Sequence, residues 1–406
     1  MGINSIGNTN DPYNIHRNQQ QHLGSSQPSH SSDFFGIQGQ SCYVDMGKFY
    51  GVNIWNCMKW DKTPGYISED MLVNGYVGDF FNHLKSEGVK KIDLSFAQLN
   101  DIQNLYLDSL TPPQGDGTNY RPSDSLQQIL HSVDPSGRVF NQPPYEVCDS
   151  SGNPVAPNFL SWLIGYAHSQ GIEVDLSFGG AAGGGKDYKL PQDPVTSAKN
   201  LAAFVNNMGF DSVDFDFESH DPFTQNSPQD LSTFFSTLHS QLQTQGKQST
   251  ITLMGGALDD PAYNPVTQNL NLFDGVNLML YSNTQYYLNA KGNTVWPGIE
   301  GWLSKMPGQD PSKLHIGFYD SIPYEQASAN GDAAQFDIRP GSSRGQAAAE
   351  IYQQLCQQLQ TDGYLKPGQT LGNPFFWNDT PGDSRSEKVM QDFFDTLKTA
   401  SKKEWK

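Results

Sequence analysis

From about residue 48 the chain repeats one pattern. A short run of β-branched or aromatic residues is followed by a longer stretch with apolar residues at helical spacing. The short runs fall at residues 51–55, 91–96, 172–178, 212–217, 249–254, 275–281, 314–319 and 373–377. Between them, helical periodicity covers residues 80–87, 159–170, 195–208 and 231–245 among others. Several of these stretches stop at a glycine just before the next strand (Gly88, Gly171, Gly246), as helix C-termini prefer. Eight strands alternating with helices predict an α/β chain folded as a (β/α)8 TIM barrel, one domain spanning residues 41–406.

Two segments break the repeat. Residues 1–40 are rich in Ser, Asn, Gln and His, as in Gln19-Gln20-Gln21 and Ser29-His30-Ser31-Ser32. So little apolar surface cannot offset the entropy of ordering, so a disordered polar leader is expected. Such a leader fits secretion by a leaderless or specialised route, of the kind that exports bacterial effectors, or a dispensable tail on a cytoplasmic protein. Residues 100–158 are too long for a simple strand-to-helix connection and carry Pro112-Pro113, Pro143-Pro144 and Ser151-Gly152. They read as an insertion after strand 2, with a hairpin across Pro135-Ser136-Gly137. Leaving from the C-terminal face of the barrel, the insertion is expected to form a wall of the cleft where this fold places its sites.

Composition narrows the chemistry. The formal charge is −18, from 25 basic and 43 acidic residues, which argues against nucleic acid and anionic membranes as partners and leaves a neutral ligand unopposed. No apolar stretch is long enough to cross a membrane, and the N-terminus lacks the pattern of a signal peptide. The four cysteines form no C-x-x-C pair and the histidines have no ligand spacing, so no metal and no cofactor is expected. Gly183-Gly184-Gly185 lacks the Lys-Ser/Thr of a phosphate loop. Aromatic residues reach 12%; most are expected to pack the core, and the remainder suit stacking on sugar rings. The protein is expected to be a monomer.

The most informative segment is Asp211-Ser-Val-Asp214-Phe-Asp216-Phe-Glu218. On a strand, Asp214, Asp216 and Glu218 share one face and Val213, Phe215 and Phe217 the other. In a barrel the aromatic face packs on the outer helices, and the acids point inward near the C-terminal mouth. Neighbouring carboxylates cannot all ionise cheaply, so at least one proton is shared, which keeps Glu218 available as a general acid. Asp211 falls on the opposite parity and is expected to be structural. A calcium loop would need Gly at its sixth position, where Ser219 stands.

This motif resembles the Asp-x-x-Asp-x-Asp-x-Glu signature of glycoside hydrolase family 18, the chitinases and endo-β-N-acetylglucosaminidases. Ser177-Phe178-Gly179-Gly180 resembles the family's Ser-x-Gly-Gly, in the form found in many bacterial chitinases. Met279-Leu280-Tyr281 is similar to its Met-x-Tyr, Ile316-Gly317 to its strand-seven Ile-Gly, and Trp377 to the Trp that floors its sugar site. Ser212 replaces a usual Gly, and Ser282, followed by Asn283, stands where Asp or Asn is common.

The resemblance implies retaining, substrate-assisted hydrolysis of β-1,4-linked N-acetylglucosamine, an exception to the two-carboxylate scheme. Glu218 is then the acid/base, Asp216 the anchor of the acetamide, Asp214 its partner and Tyr281 a hydrogen-bond donor to the acetamide oxygen. Ser177, Gly179, Gly180, Met279, Asn283 and Trp377 are candidate substrate-binding residues, with Trp55, Trp60, Trp296 and Trp302 as further cleft candidates. The partner is chitin or another N-acetylglucosamine-containing glycan. Two other readings stay open: cleavage of the chitobiose core of N-glycans, and a barrel that binds chitin fragments without cutting them.

Overall fold

The repeat of apolar strands and amphipathic helices closes on itself in the computed structural model, which describes residues 39–45, 57–59, 61, 65–110, 146–180, 188–279, 298–319, 343–378 and 384–403. Eight parallel strands form a closed barrel. Their order is β1 (Gln40–Asp45), β12 (Phe375–Asn378), β11 (Leu314–Tyr319), β10 (Gly275–Met279), β9 (Gln248–Met254), β8 (Ser212–Phe217), β7 (Glu173–Gly179) and β4 (Val89–Ala97).

The expected (β/α)8 fold is therefore present, with one correction. Its first strand is β1 and not residues 51–55, which lie outside the described residues. The pattern hid β1 because only Cys42 and Val44 face the outer layer as apolar side chains, while Ser41 and Tyr43 take the opposite parity.

The outer layer is set by helix starts and aromatic packing. Asp193 caps the helix Pro194–Met208 by accepting from Thr196 N–H at 3.0 Å, and Ser227 caps Pro228–Thr244 by accepting from Asp230 N–H at 3.1 Å. Each cap is followed by a proline at the first helical position, where its missing N–H costs nothing. Phe215 of β8 meets Phe234 and Phe235 of the second helix at ring separations of 5.9 and 5.1 Å. Burying each such ring stabilises the fold by roughly 2–3 kcal/mol, so β8 is held firmly from outside.

A second sheet joins β2 (Met58–Lys59), β3 (Tyr66–Ser68), β5 (Val147–Cys148) and β6 (Pro154–Ala156). It ties the segment after β1 to the segment after β4 through parallel pairing of Ile67 with Val147. Since β1 and β4 are barrel neighbours, both segments leave from the same end of adjacent strands. The β5–β6 hairpin turns on Asp149, whose carboxylate accepts from Ser151 N–H at 2.8 Å and Asn153 N–H at 2.9 Å. The hairpin expected across Pro135-Ser136-Gly137 lies outside the described residues, as do residues 1–38 of the leader.

Candidate functional site

Strand β8 has the alternation its sequence demands. Val213, Phe215 and Phe217 are fully buried in the outer layer, while Ser212, Asp214 and Asp216 face the barrel interior. Burial falls off along the inner face: Asp214 is 0% exposed, Asp216 2%, and Glu218, one residue past the strand, is partly exposed. The carboxylates thus climb from the barrel core to its C-terminal mouth.

Asp214 is the hub. Its Oδ2 accepts from Tyr43 O–H at 2.9 Å and Ser177 O–H at 2.8 Å. Its Oδ1 lies 2.8 Å from the hydroxyls of both Thr250 and Thr252 and 3.2 Å from the Asn277 amide nitrogen. These partners come from β1, β7, β9 and β10, each delivered by strand register; Ser177 and Thr250, for example, are the direct neighbours of Asp214 on either side. Hydrogen bonds to a charged group contribute about 1.5–3 kcal/mol each, so this ring fixes both the position and the acceptor character of Asp214.

Gly179 explains why glycine follows Ser177-Phe178. Its φ is +117°, and a Cβ there would stand 2.1 Å from the Asp216 carbonyl oxygen. The same carbonyl accepts from Gly180 N–H at 3.0 Å. The glycine pair therefore lets the end of β7 close against the acidic strand, a positioning role through the backbone. Ser212, by contrast, is not in the left-handed region, so its substitution for glycine is free of strain.

The field inside the barrel is negative. Burial pushes the Tyr43 phenol well above its usual value, and the charges of Asp214, Asp93 and Asp216 push it further. The Tyr188 and Tyr263 phenols are also raised, first by burial; Asp216 and Glu218 then add to the rise at Tyr188, and Asp260, Glu218 and Asp216 at Tyr263. All three phenols therefore stay protonated donors at neutral pH. His220, two residues beyond Glu218, is engaged by Asp260 at 2.7 Å.

Beside the carboxylates stands an aromatic wall. Trp377, partly exposed, stacks on Phe96 with ring centres 5.3 Å apart and planes 17° apart, and it meets Tyr43 at 5.5 Å. Met279 is buried (1% exposed) in the cluster with Tyr43 and Phe375, so it backs this wall. Trp302 is corrected: it is wholly buried and donates its indole N–H to Gly255 O at 3.0 Å, since its helix Ile299–Lys305 turns it toward the core. Tyr281, Asn283, Trp55, Trp60 and Trp296 lie outside the described residues.

Sequence reasoning therefore finds Asp214, Asp216, Glu218, Ser177, Gly179, Gly180 and Trp377 at one end of the barrel. It misses Tyr43, Thr250, Thr252 and Asn277. The signal was available for the last three, which are polar residues at the inward parity of strands already predicted. Asp211 stays apart, accepting from Val174 N–H at 2.7 Å and contacting His168 at 2.7 Å.

No curated protein matches the chain. Among solved structures, a chitinase of Pseudoalteromonas aurantia is 16% identical over 79% of this chain and 95% of that one, with a TM-score of 0.44. A chitinase of Flavobacterium johnsoniae is 15% identical over 89% and 96%, with a TM-score of 0.44. The catalytic domain of a hyperthermophilic chitinase of Pyrococcus furiosus is 13% identical over 89% and 97%, with a TM-score of 0.45. The model of the glycosyl hydrolases family 18 matches residues 64–404 of the 406. On the strength of that match, which takes in every barrel strand but the first, the chain belongs to glycosyl hydrolases family 18.

Proposed function

We propose that the protein is a retaining chitinase that cuts β-1,4 bonds between N-acetylglucosamine units with the substrate's own acetamide as nucleophile. The observation that carries the reading is the graded inner face of β8, from fully buried Asp214 through Asp216 to partly exposed Glu218. Of these three acids, Glu218 alone combines solvent access with a place at the mouth, so it delivers the proton to the glycosidic oxygen. The 2-acetamido carbonyl oxygen attacks the anomeric carbon as the glycosidic bond breaks, and the leaving sugar departs with Glu218's proton. Asp216 orients the acetamide N–H and balances the positive charge that develops on the ring formed. Water then attacks the anomeric carbon, giving its proton back to Glu218 and restoring the acetamide.

Asp214, held in place by its own ring of donors, acts on Asp216 as its neighbour along the strand. Tyr281 serves as a donor to the acetamide oxygen. Trp377 and Phe96 supply an apolar plate against which a pyranose ring packs. An intramolecular nucleophile gains the large effective molarity of a preassembled reaction, which is why no second carboxylate need touch the anomeric carbon.

The test is Glu218→Gln against wild type on a chitin hexamer, with products followed by mass spectrometry and an N-glycoprotein run in parallel. Wild type should shorten the hexamer and the variant should lose at least about 100-fold in rate. Equal activity in both would remove Glu218 from the chemistry. Deglycosylation without hexamer cleavage would move the substrate to the N-glycan core.

A further inference from the structure

Below the donors of Asp214 the barrel interior holds a second charged layer that this mechanism does not use. Lys91 Nζ lies 2.8 Å from Asp175 Oδ2 and 3.5 Å from Asp93 Oδ1. Both carboxyls are essentially inaccessible (Asp93 1% exposed, Asp175 0%), and the lysine side chain is 21% exposed. Register makes Asp93 the direct neighbour of Asp175 on one side and of Tyr43 on the other. Ser177, two residues above Asp175, is the neighbour of Asp214. One cation therefore faces two buried carboxyls on adjacent strands, immediately beneath the acidic strand.

Two ionised carboxylates with one ammonium would leave a net negative charge in a place where water cannot screen it. At about 8 Å and an effective dielectric of 20, one such charge is worth roughly 2 kcal/mol to each carboxylate above. Burial drives Asp93 well above the usual carboxylate range; Lys91 opposes this, and Asp175 and Asp214 add to it. Burial disfavours the Lys91 ammonium, but Asp175 and Asp93 outweigh burial and keep it charged. Among the described residues no other cation lies within ion-pairing distance of either carboxyl. His315 on β11 is held neutral, its value pushed down to about 4 by burial and by Lys91. Burial lowers Lys247, which feels Asp211 and Asp175, and raises Glu173, which feels Asp175, Asp211, Lys91 and His168. Tyr43, Asp214 and Asp216 complete the set.

We infer that Lys91, Asp93 and Asp175 form an electrically neutral positioning cluster beneath the acidic strand, with ammonium on Lys91, carboxylate on Asp175 and the proton on Asp93. Its neutrality leaves the charge of the acidic strand to be set by that strand's own hydrogen bonds. The cluster does not touch substrate; it acts through Asp214. Removing one member moves a proton and not only a contact, which separates this role from packing. Asp175→Asn makes Asp93 ionise as the new counter-ion of Lys91, whereas Lys91→Met leaves two carboxyls with no cation.

The inference rests on the proposed hydrolysis only for its activity readout, so two readouts are paired in the full-length chain. The first is the infrared carbonyl stretch of a protonated, isotope-labelled aspartic acid at pH 7 without substrate. One such band should vanish in Asp93→Asn and also in Asp175→Asn. The second is the pH profile of chitin-hexamer hydrolysis. It should be unchanged in Asp93→Asn, moved up by about one pH unit in Lys91→Met, and restored in Lys91→Met/Asp175→Asn. A spectrum indifferent to Asp93→Asn overturns the inference, as does a double variant no better than Lys91→Met in profile or, should the single variant not fold, in folding. If wild type cuts no glycan, the proposed function fails, and the infrared bands still decide the protonation of the cluster.

Discussion

Replacing Gly179 by alanine probes how the end of β7 meets the acidic strand. The added methyl would stand 2.1 Å from the Asp216 carbonyl oxygen and 3.3 Å from the Tyr188 ring, on a backbone with φ +117°. Holding a non-glycine residue in such a conformation costs about 1–3 kcal/mol. Relieving the collision by shifting packed backbone costs about 1–3 kcal/mol more. Gly171 supplies the control, since it has φ +75° but no atom within 4 Å of its virtual Cβ. Gly171→Ala should carry the conformational cost alone, about 1 kcal/mol. Urea unfolding of both variants, followed by tryptophan fluorescence, should place Gly179→Ala about 1–5 kcal/mol below Gly171→Ala. The chitin-hexamer rate should fall about 100-fold only in Gly179→Ala, because an Asp216 displaced by about 1 Å no longer meets the acetamide. Equal stabilities and equal rates in the two variants would refute the close approach of β7 to Asp216.

Two further outcomes follow from single side chains. Tyr43→Phe removes the 2.9 Å hydrogen bond to Asp214 and the 2.6 Å contact with Thr252, so it should destabilise the fold by about 1.5–3 kcal/mol in urea unfolding and lower the hydrolytic rate without changing KM. His315 is partly buried and held neutral, with its value pushed down to about 4, against 6.5 in an unfolded chain, and its Nδ1 lies 2.9 Å from Asn373 O. Above pH 6.5 it contributes nothing to pH dependence; as pH falls toward 4 the unfolded chain takes up a proton that the folded chain refuses, so stability drops by up to roughly 3 kcal/mol. His315→Gln should lose this part of the acid sensitivity, seen as a smaller difference between urea midpoints at pH 7 and pH 4.5.

Much of this architecture was legible in the residues. Seven of the barrel strands declare themselves because their outward faces are apolar and must be buried, as with Val213, Phe215 and Phe217. The acidic motif was legible for the same reason: an aromatic face fixes where the opposite face points. Strand β1 was not, because a strand with two apolar outward residues looks like a loop until its neighbours are known. Tyr43, which donates its hydroxyl to Asp214 from β1, was lost with it. The ring around Asp214 depends on register between strands distant in sequence, such as Asn277 with Thr252, which no local pattern encodes. Lys91, Asp93 and Asp175 alternate with Ile92, Leu94, Val174 and Leu176, so their inward direction was readable and their partnership was not.

In the proposed hydrolysis the substrate brings its own nucleophile. The most direct test compares the N-acetylglucosamine hexamer with the fully deacetylated hexamer, using proton magnetic resonance to identify the anomer formed first. Cleavage of the acetylated oligomer alone is expected, with the β-anomer appearing before mutarotation. Comparable cleavage of the deacetylated oligomer, or first appearance of the α-anomer, would contradict it.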